Sequence, residues 1–303
     1  MFFIELPAAG VTVWAPALVI LGLIAGMLAG LFGVGGGFLL TPILKIAFGI
    51  PYPVAVGSNL VLIGINAGLS SFRHWRNRCV DIKLGAILAA GGMCGAEIGV
   101  RLMRALGARA SIMIHGQVVS VRDLTLSGLF LILLGSVGIS ILLESSRTVG
   151  EEPSGALSKM LRGAQIWPMI TFSRAGVRMM LWAPLAIALS VGVLTGLLGI
   201  SGGFINFPLL VYVIGAPTLV AVGTSAFQSV YASAYGAIRH AGEGNVELIL
   251  VGLLLAGSIP GVQIGVRISR MIGGRRIRKW FAIVILLALC VIIWDVIRQL
   301  GVA

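Results

Sequence analysis

GLFGVGGGFLLTP at residues 30–42 returns as GLLGISGGFINFP at residues 196–208. The offset is 166, and it runs without a gap from Gly26/Gly192 to Arg101/Arg267. Within that frame Gly33/Gly199, Gly36/Gly202, Gly37/Gly203, Phe38/Phe204, Pro42/Pro208, Pro51/Pro217, Gly57/Gly223, Arg73/Arg239, His74/His240 and Gly99/Gly265 all pair. Each copy sets a glycine cluster between two strongly apolar stretches. In a membrane protein, glycine and proline interruptions at matching places in two halves point to a substrate site near the bilayer midplane.

The composition places the chain in a bilayer. Of its 303 residues 58% are hydrophobic and 11% charged, and mean hydropathy is +1.06. A soluble domain carries charge on about a quarter of its residues. Apolar runs of about 17–25 residues, enough to cross a hydrocarbon core of roughly 30 Å as helices, recur along the sequence. The N-terminus lacks the basic leader of a cleaved signal peptide, so the first apolar run reads as a retained helix. The three cysteines (Cys79, Cys94, Cys290) have no CxxC spacing and form neither a disulfide framework nor a metal cage by themselves.

Net charge is +12, but the basic residues lie between apolar runs, as in loops that orient a membrane protein. Nucleic acid is therefore rejected as a partner, and attraction to anionic headgroups is a by-product.

Repeat one reads as five apolar segments, at 12–32, 37–49, 54–72, 84–100 and 124–143. Repeat two has counterparts at 181–199, 203–215, 219–238, 248–266 and 280–297. The second segment of each is too short for a crossing at 1.5 Å per residue, and it stops near Pro51 or Pro217. The expected architecture is an all-α polytopic membrane protein built from two inverted repeats of about five helical segments. Each repeat holds a short helix that starts at a Gly-rich break. Residues 1–143 form membrane repeat one, 144–180 a cytoplasmic linker with a short interfacial helix over 156–166, and 181–303 membrane repeat two. Inversion follows from charge. With the halves inverted, one side carries 15 Lys and Arg and the other 6; with the halves parallel, the split is 10 and 11. The 15-charge side is then cytoplasmic.

Candidate binding residues gather at the breaks. Glycines let a ligand approach the main chain, and the helix that follows offers free N–H groups and a positive dipole end, which suits an anion. Gly35, Gly36 and Gly37 are the candidates in one half, Ser201, Gly202 and Gly203 in the other. Close helix packing through small residues is the competing reading. No GK[ST] follows the glycines, so this is no phosphate loop. Ser58 and Asn59 pair with Thr224 and Ser225 at the starts of the third segments, and Thr41, Asn206, Gln228 and Asn66 add further amides and hydroxyls. Such groups donate to an oxyanion and are cheaper to bury than a charge.

Lys45 sits at the end of a short segment, where it suits the dipole. Glu97 is the acidic residue well inside an apolar segment; it reads as a partner of Arg101, four residues on, or as a proton-coupling group. Arg73, His74, Arg239 and His240 close the third segments, as anion-attracting mouths or as basic helix ends. No Ser-His-Asp set, paired carboxylates or metal-ligand cluster is present, so neither catalysis nor a cofactor is expected.

On GLFGVGGG with Pro42, AVGSN at 55–59, GLLGISGG with Pro208 and AVGTS at 221–225, the chain resembles the TauE/SafE sulfite-exporter family, also called the toluene-sulfonate uptake permease family. The resemblance covers both halves but neither the linker nor the stretch around 107–123. It implies a bacterial or archaeal inner-membrane carrier of small sulfur-containing anions. The expected function is alternating-access transport of sulfite or an organosulfonate, in the direction of export, with a proton or other ion coupled if uptake occurs. The rival readings are an anion channel and an uptake permease for another small oxyanion or a carboxylate. Ser201 stands where repeat one has Gly35, so the two loops are not chemically identical.

Overall fold

The computed structural model describes residues 3–105, 111–114, 117–120, 167–198 and 202–299, with residues 128, 131, 132, 135 and 138. Nearly the whole fifth segment (124–143), the expected interfacial helix at 156–166 and Ser201 lie outside the described residues. The protein is mostly helical. In chain order the helices are α1 (Ala15–Phe32), α2 (Gly37–Phe48), α3 (Tyr52–Arg76), α4 (Ile82–Ala105), α5 (Trp182–Leu198), α6 (Gly203–Pro208), α7 (Thr218–Gly242) and α8 (Leu248–Gln299). A π-helical turn, Leu209–Ile214, continues α6 beyond Pro208. Proline has no N–H to donate back to the preceding turn, and the hydrogen-bond register widens there. Among the described residues four helices, Ala15–Phe32, Tyr52–Arg76, Ile82–Gly99 and Leu248–Cys290, are long and apolar enough to cross a membrane.

Among the described residues three antiparallel hairpins accompany them: β1–β2 (Phe3–Leu6, Val11–Trp14), β3–β4 (Ser111–Ile114, Gln117–Ser120) and β5–β6 (Met169–Phe172, Val177–Met180). The first and third are equivalent under the offset of 166. Both turn at a glycine with φ of 65°, Gly10 and Gly176, a conformation that an L side chain rarely adopts. The offset of 166 thus extends to these hairpins, and residues 169–180, within the stretch expected as linker, match residues 3–14.

Proline alone does not end the short helices. Gly49 (φ 66°) and Gly215 (φ 78°) cap them in the left-handed conformation. Ile50 N–H returns to Leu44 O and Ala216 N–H to Leu210 O. This closure onto a carbonyl six residues back satisfies one of the last carbonyls of each helix, after which Pro51 and Pro217 open α3 and α7.

The two halves exchange helices. Gly22, Gly26 and Gly30 of α1 abut the backbone of Leu254, Ser258 and Val262 in α8, and Gly257, Gly261 and Gly265 of α8 abut Val19, Leu23 and Met27. Contacts that climb together mean α1 and the first half of α8 run parallel. The equivalent pair does the same: Gly91 and Gly95 of α4 abut Leu185 and Leu189 of α5. Each half therefore lends its first long helix to the fourth helix of the other. Small residues let the backbones meet, which drives association where lipid competes for apolar contact.

Between these two arms lie α3 and α7, equivalent in sequence and antiparallel in space. Gly57 meets His240 and Asn245, Leu60 meets Gly236, Gly64 meets Ser233, and His74 meets Gly223. These pairings put the midpoint of the crossing at Ile65–Asn66 of α3, opposite Tyr231–Ala232 of α7.

A reciprocal clasp closes each end. Asp81 Oδ2 accepts from the N–H groups of Arg174 and Ala175 in the turn between β5 and β6, Oδ1 accepts from Leu84 N–H, and Asp81 N–H donates to Thr224 Oγ1. At the other end Glu247 Oε2 accepts from Ala8 N–H between β1 and β2, and Glu247 N–H donates to Ser58 Oγ. Both acidic residues are buried, and their backbone donors supply what a buried carboxylate requires.

The basic loops gather at the Asp81 end. Arg174 Nη1 donates to Arg78 O, and Arg278 donates to Thr218 Oγ1 at the start of α7. Cys79 lies there too: burial pushes its thiol up, against the opposing pull of the Arg270 and Arg174 charges. The expected loop 267–279 narrows to a break at Gly273 (φ 73°, ψ 160°), where α8 divides into two helical halves; the second half contains the expected segment 280–297 and starts within the basic stretch. Arginine and lysine are good helix formers. The returning half packs Phe281 edge-on against Phe32 and Phe207, at 5.1 and 4.8 Å between ring centroids.

Candidate functional site

α1 ends at Gly33, whose φ of 69° turns the chain and whose N–H closes on Ala29 O at 3.0 Å. Gly35 and Gly36 hold φ of 75° and 73°. The loop then drops to Gly37, beside Asn59 and Ile63 of α3, and α2 leaves from there toward the end of α3 at which Tyr52 lies. The short helix thus begins beside the middle of α3 and turns back. In the second half Gly202 caps α6 with φ of −62° and ψ of 0°, unlike the left-handed Gly36, so the two short helices start from different backbone shapes.

The breaks of the two halves touch. A Cβ built on Gly203 would press on Ser229 Oγ and lie 3.2 Å from Val34 Cα and 3.4 Å from Gly33 O. Ser225 Oγ lies 3.2 Å from Gly33 O and 3.0 Å from Val222 O, the two acceptors that share its single hydrogen. Gly33, Val34, Gly203, Ser225 and Ser229 are all buried. The structure therefore brings together the first glycine break, the start of α6 and two hydroxyls of α7, with no charged side chain among these residues.

Each short helix is tied to the long helix that follows it by an amide. Asn59 Nδ2 donates to Gly37 O (2.7 Å) and Thr41 Oγ1 (2.8 Å), and Asn206 Nδ2 donates to Gln228 Oε1 (2.9 Å). Both asparagines are 1% exposed, and each keeps an Oδ1 with no hydrogen-bond partner. Ser58 and Thr224 recur for a different reason. Their hydroxyls accept the backbone N–H groups of Glu247 and Asp81 at opposite ends of the molecule.

Glu97 is one third exposed and pairs with Arg101 at 2.9 Å. It also accepts the hydroxyl hydrogen of Tyr235 on α7, a bond that crosses between repeats. Repeat two has Gln263 at the place of Glu97 and repeat one has Leu69 at the place of Tyr235, so this contact has no symmetric mate. His74 is fully buried rather than open at a mouth, with Nε2 against Gly30 O at 3.2 Å. Arg73 is partly buried, Arg239 exposed and His240 partly buried. Lys45 Nζ lies 5.8 Å over the ring of Tyr52. Among the described residues no group of His, Cys, Asp and Glu is placed to hold a metal ion.

Sequence reasoning missed Asp81, Glu247 and Tyr235. The first two stood at equivalent positions ahead of α4 and α8, a signal the repeat frame contained. Nothing in the sequence marked Tyr235.

The family model described as sulfite exporter TauE/SafE matches residues 18–292. The probable membrane transporter protein YunE of Bacillus subtilis (strain 168) is 30% identical over 287 residues, covering 92% of this chain and 97% of that protein. YjnA of the same organism, also named a probable membrane transporter protein, is 29% identical over 272 residues, 90% of this chain and 97% of its own. A probable membrane transporter protein of Xylella fastidiosa (strain Temecula1) is 24% identical over 277 residues, 90% and 92% of the two chains. No solved structure matches. The chain belongs to the TauE/SafE family, and it is a multi-pass membrane transporter.

Proposed function

We propose that this family member is a secondary carrier of small sulfur-containing oxyanions, sulfite or an organosulfonate, working by alternating access between two oppositely oriented halves. The observation that carries the reading is the junction of Gly33–Val34 with Gly203, ringed by the hydroxyls of Ser225 and Ser229. A negative solute there meets main-chain dipoles and hydroxyls rather than a fixed cation, so the solute is held firmly enough to enter and weakly enough to leave. Antiparallel packing of the equivalent helices α3 and α7 supports inversion, as does the gathering of basic loops at the Asp81 end, which is then cytoplasmic.

The moving bodies are the two exchanged arms: α1 with the first half of α8, and α4 with α5. Their backbones are in contact along glycine stripes and resist sliding. The α3–α7 crossing between them meets through side chains at Leu60 and Ser233 and takes up the motion. Asn59 and Asn206 hold the short helices in place while it occurs. Export gains about 2.3 kcal/mol per negative charge for each 100 mV of inside-negative potential. Uptake needs a co-transported positive charge, and Glu97 with Tyr235 and Arg101 supplies a proton site that bridges the repeats.

Sulfite flux in proteoliposomes tests this. Saturation and counterflow are expected of the carrier, whereas conductance without counterflow indicates a channel. Asn206→Ala removes one amide tie, and about tenfold weaker apparent affinity is expected from a loss near 1.4 kcal/mol. Glu97→Gln is expected to remove any acceleration by an imposed pH gradient; a gradient response equal to wild type would take Glu97 out of coupling.

A further inference from the structure

We infer that Asn66 is a substrate-contacting donor at the midpoint of the carrier, reached by the oxyanion from both membrane faces; this rests on the transport reading above. Three observations carry it. The register of α3 on α7 puts Asn66 at the centre of the antiparallel crossing, well inside α3 from either of its ends. The side chain is 0% exposed, and its Nδ2 has no hydrogen-bond partner. Its orientation is set from the other arm: Ser258 Oγ on α8 donates to Asn66 Oδ1 at 2.8 Å.

Ser258 consumes the acceptor and leaves the donor. A buried N–H left unpaired costs about 1–3 kcal/mol, and a contact made only for packing avoids that cost with an apolar side chain. Repeat two does so at the equivalent place, which holds Ala232. Two hydrogens on one neutral nitrogen match the oxygens of a small oxyanion, and no acidic residue sits beside Asn66 on α3 to repel it. Ser258 acts through Asn66 as a positioning residue, tying the donor to the arm formed by α1 and α8.

The test measures sulfite KM by proteoliposome flux, from each face separately, for wild type, Asn66→Ala, Asn66→Asp and Ser258→Ala, with melting temperatures of the purified proteins. Asn66→Ala is expected to raise KM about tenfold from both faces, and Asn66→Asp to raise it further, because a carboxylate of the same shape lacks the N–H and repels the anion. Ser258→Ala is expected to lower the melting temperature with a smaller rise in KM. Should Asn66→Asp fail to fold, Asn66→Ala alone decides the matter. Wild-type KM in Asn66→Ala, or a rise from one face only, overturns the assignment while leaving the carrier standing. A wild-type protein that moves no oxyanion overturns both.

Discussion

Replacing Gly257 by leucine is expected to leave no folded protein in detergent extracts. On the same helix, Gly252→Ala is expected to be tolerated. A Cβ at Gly257 would collide with the backbone oxygen of Val19, whereas one at Gly252 meets nothing within 4 Å. A backbone atom cannot swing aside as a side chain does, so α1 and α8 would have to part along their shared stripe. Overpacking a fitted interior costs about 1–3 kcal/mol even where side chains can adjust. Alanine at an open helical glycine gains about 0.5–1 kcal/mol. Size-exclusion chromatography reads the difference, and a monodisperse Gly257→Leu protein with wild-type melting temperature would refute the close pairing of α1 with α8.

Asp81→Ala is expected to give the second large effect. Its carboxylate accepts three backbone N–H groups, from Leu84, Arg174 and Ala175, at 3.0–3.1 Å. Hydrogen bonds to a charged group contribute about 1.5–3 kcal/mol each, so losing all three costs on the order of 5 kcal/mol. Glu247→Ala removes the bonds from Ala8 N–H and Ile249 N–H and is expected to lower the melting temperature by less. Equal melting temperatures in the two variants would show that the clasps do not differ in strength. Proteolysis within residues 167–180 offers a second readout, with cleavage expected in Asp81→Ala and not in Glu247→Ala.

Much of this architecture was legible because helix-spanning apolar runs and glycine breaks repeat at one offset. The short helices, their glycine starts and the long partners α3 and α7 fall where periodicity placed them. The hairpins did not. Strands of four residues with apolar side chains on both faces look like the edge of a membrane helix, and only the pairing of Ala9-Gly10-Val11 with Ala175-Gly176-Val177 could have announced them. The basic run Arg275–Lys279 read as a loop, yet α8 carries it on a helix whose single break is Gly273.

The site was half legible. Recurrence singled out Ser58 and Thr224, but a symmetric fold repeats its struts as faithfully as its ligand contacts, and these two receive backbone N–H groups. Polarity alone could not order Asn59, Asn66 and Asn206 along the membrane normal, because that order depends on which helix runs beside which. The Tyr235–Glu97 bond links residues 138 apart in sequence, and no spacing rule reaches that far.

Inversion itself is open to a direct measurement. With Cys79, Cys94 and Cys290 replaced by serine, single cysteines at Asn77 and at its repeat counterpart Glu243 are probed in intact cells with a membrane-impermeant maleimide. Glu243→Cys is expected to react from outside, and Asn77→Cys only after the membrane is opened. Reaction of both from the same face would place the halves parallel and contradict the carrier mechanism built on them.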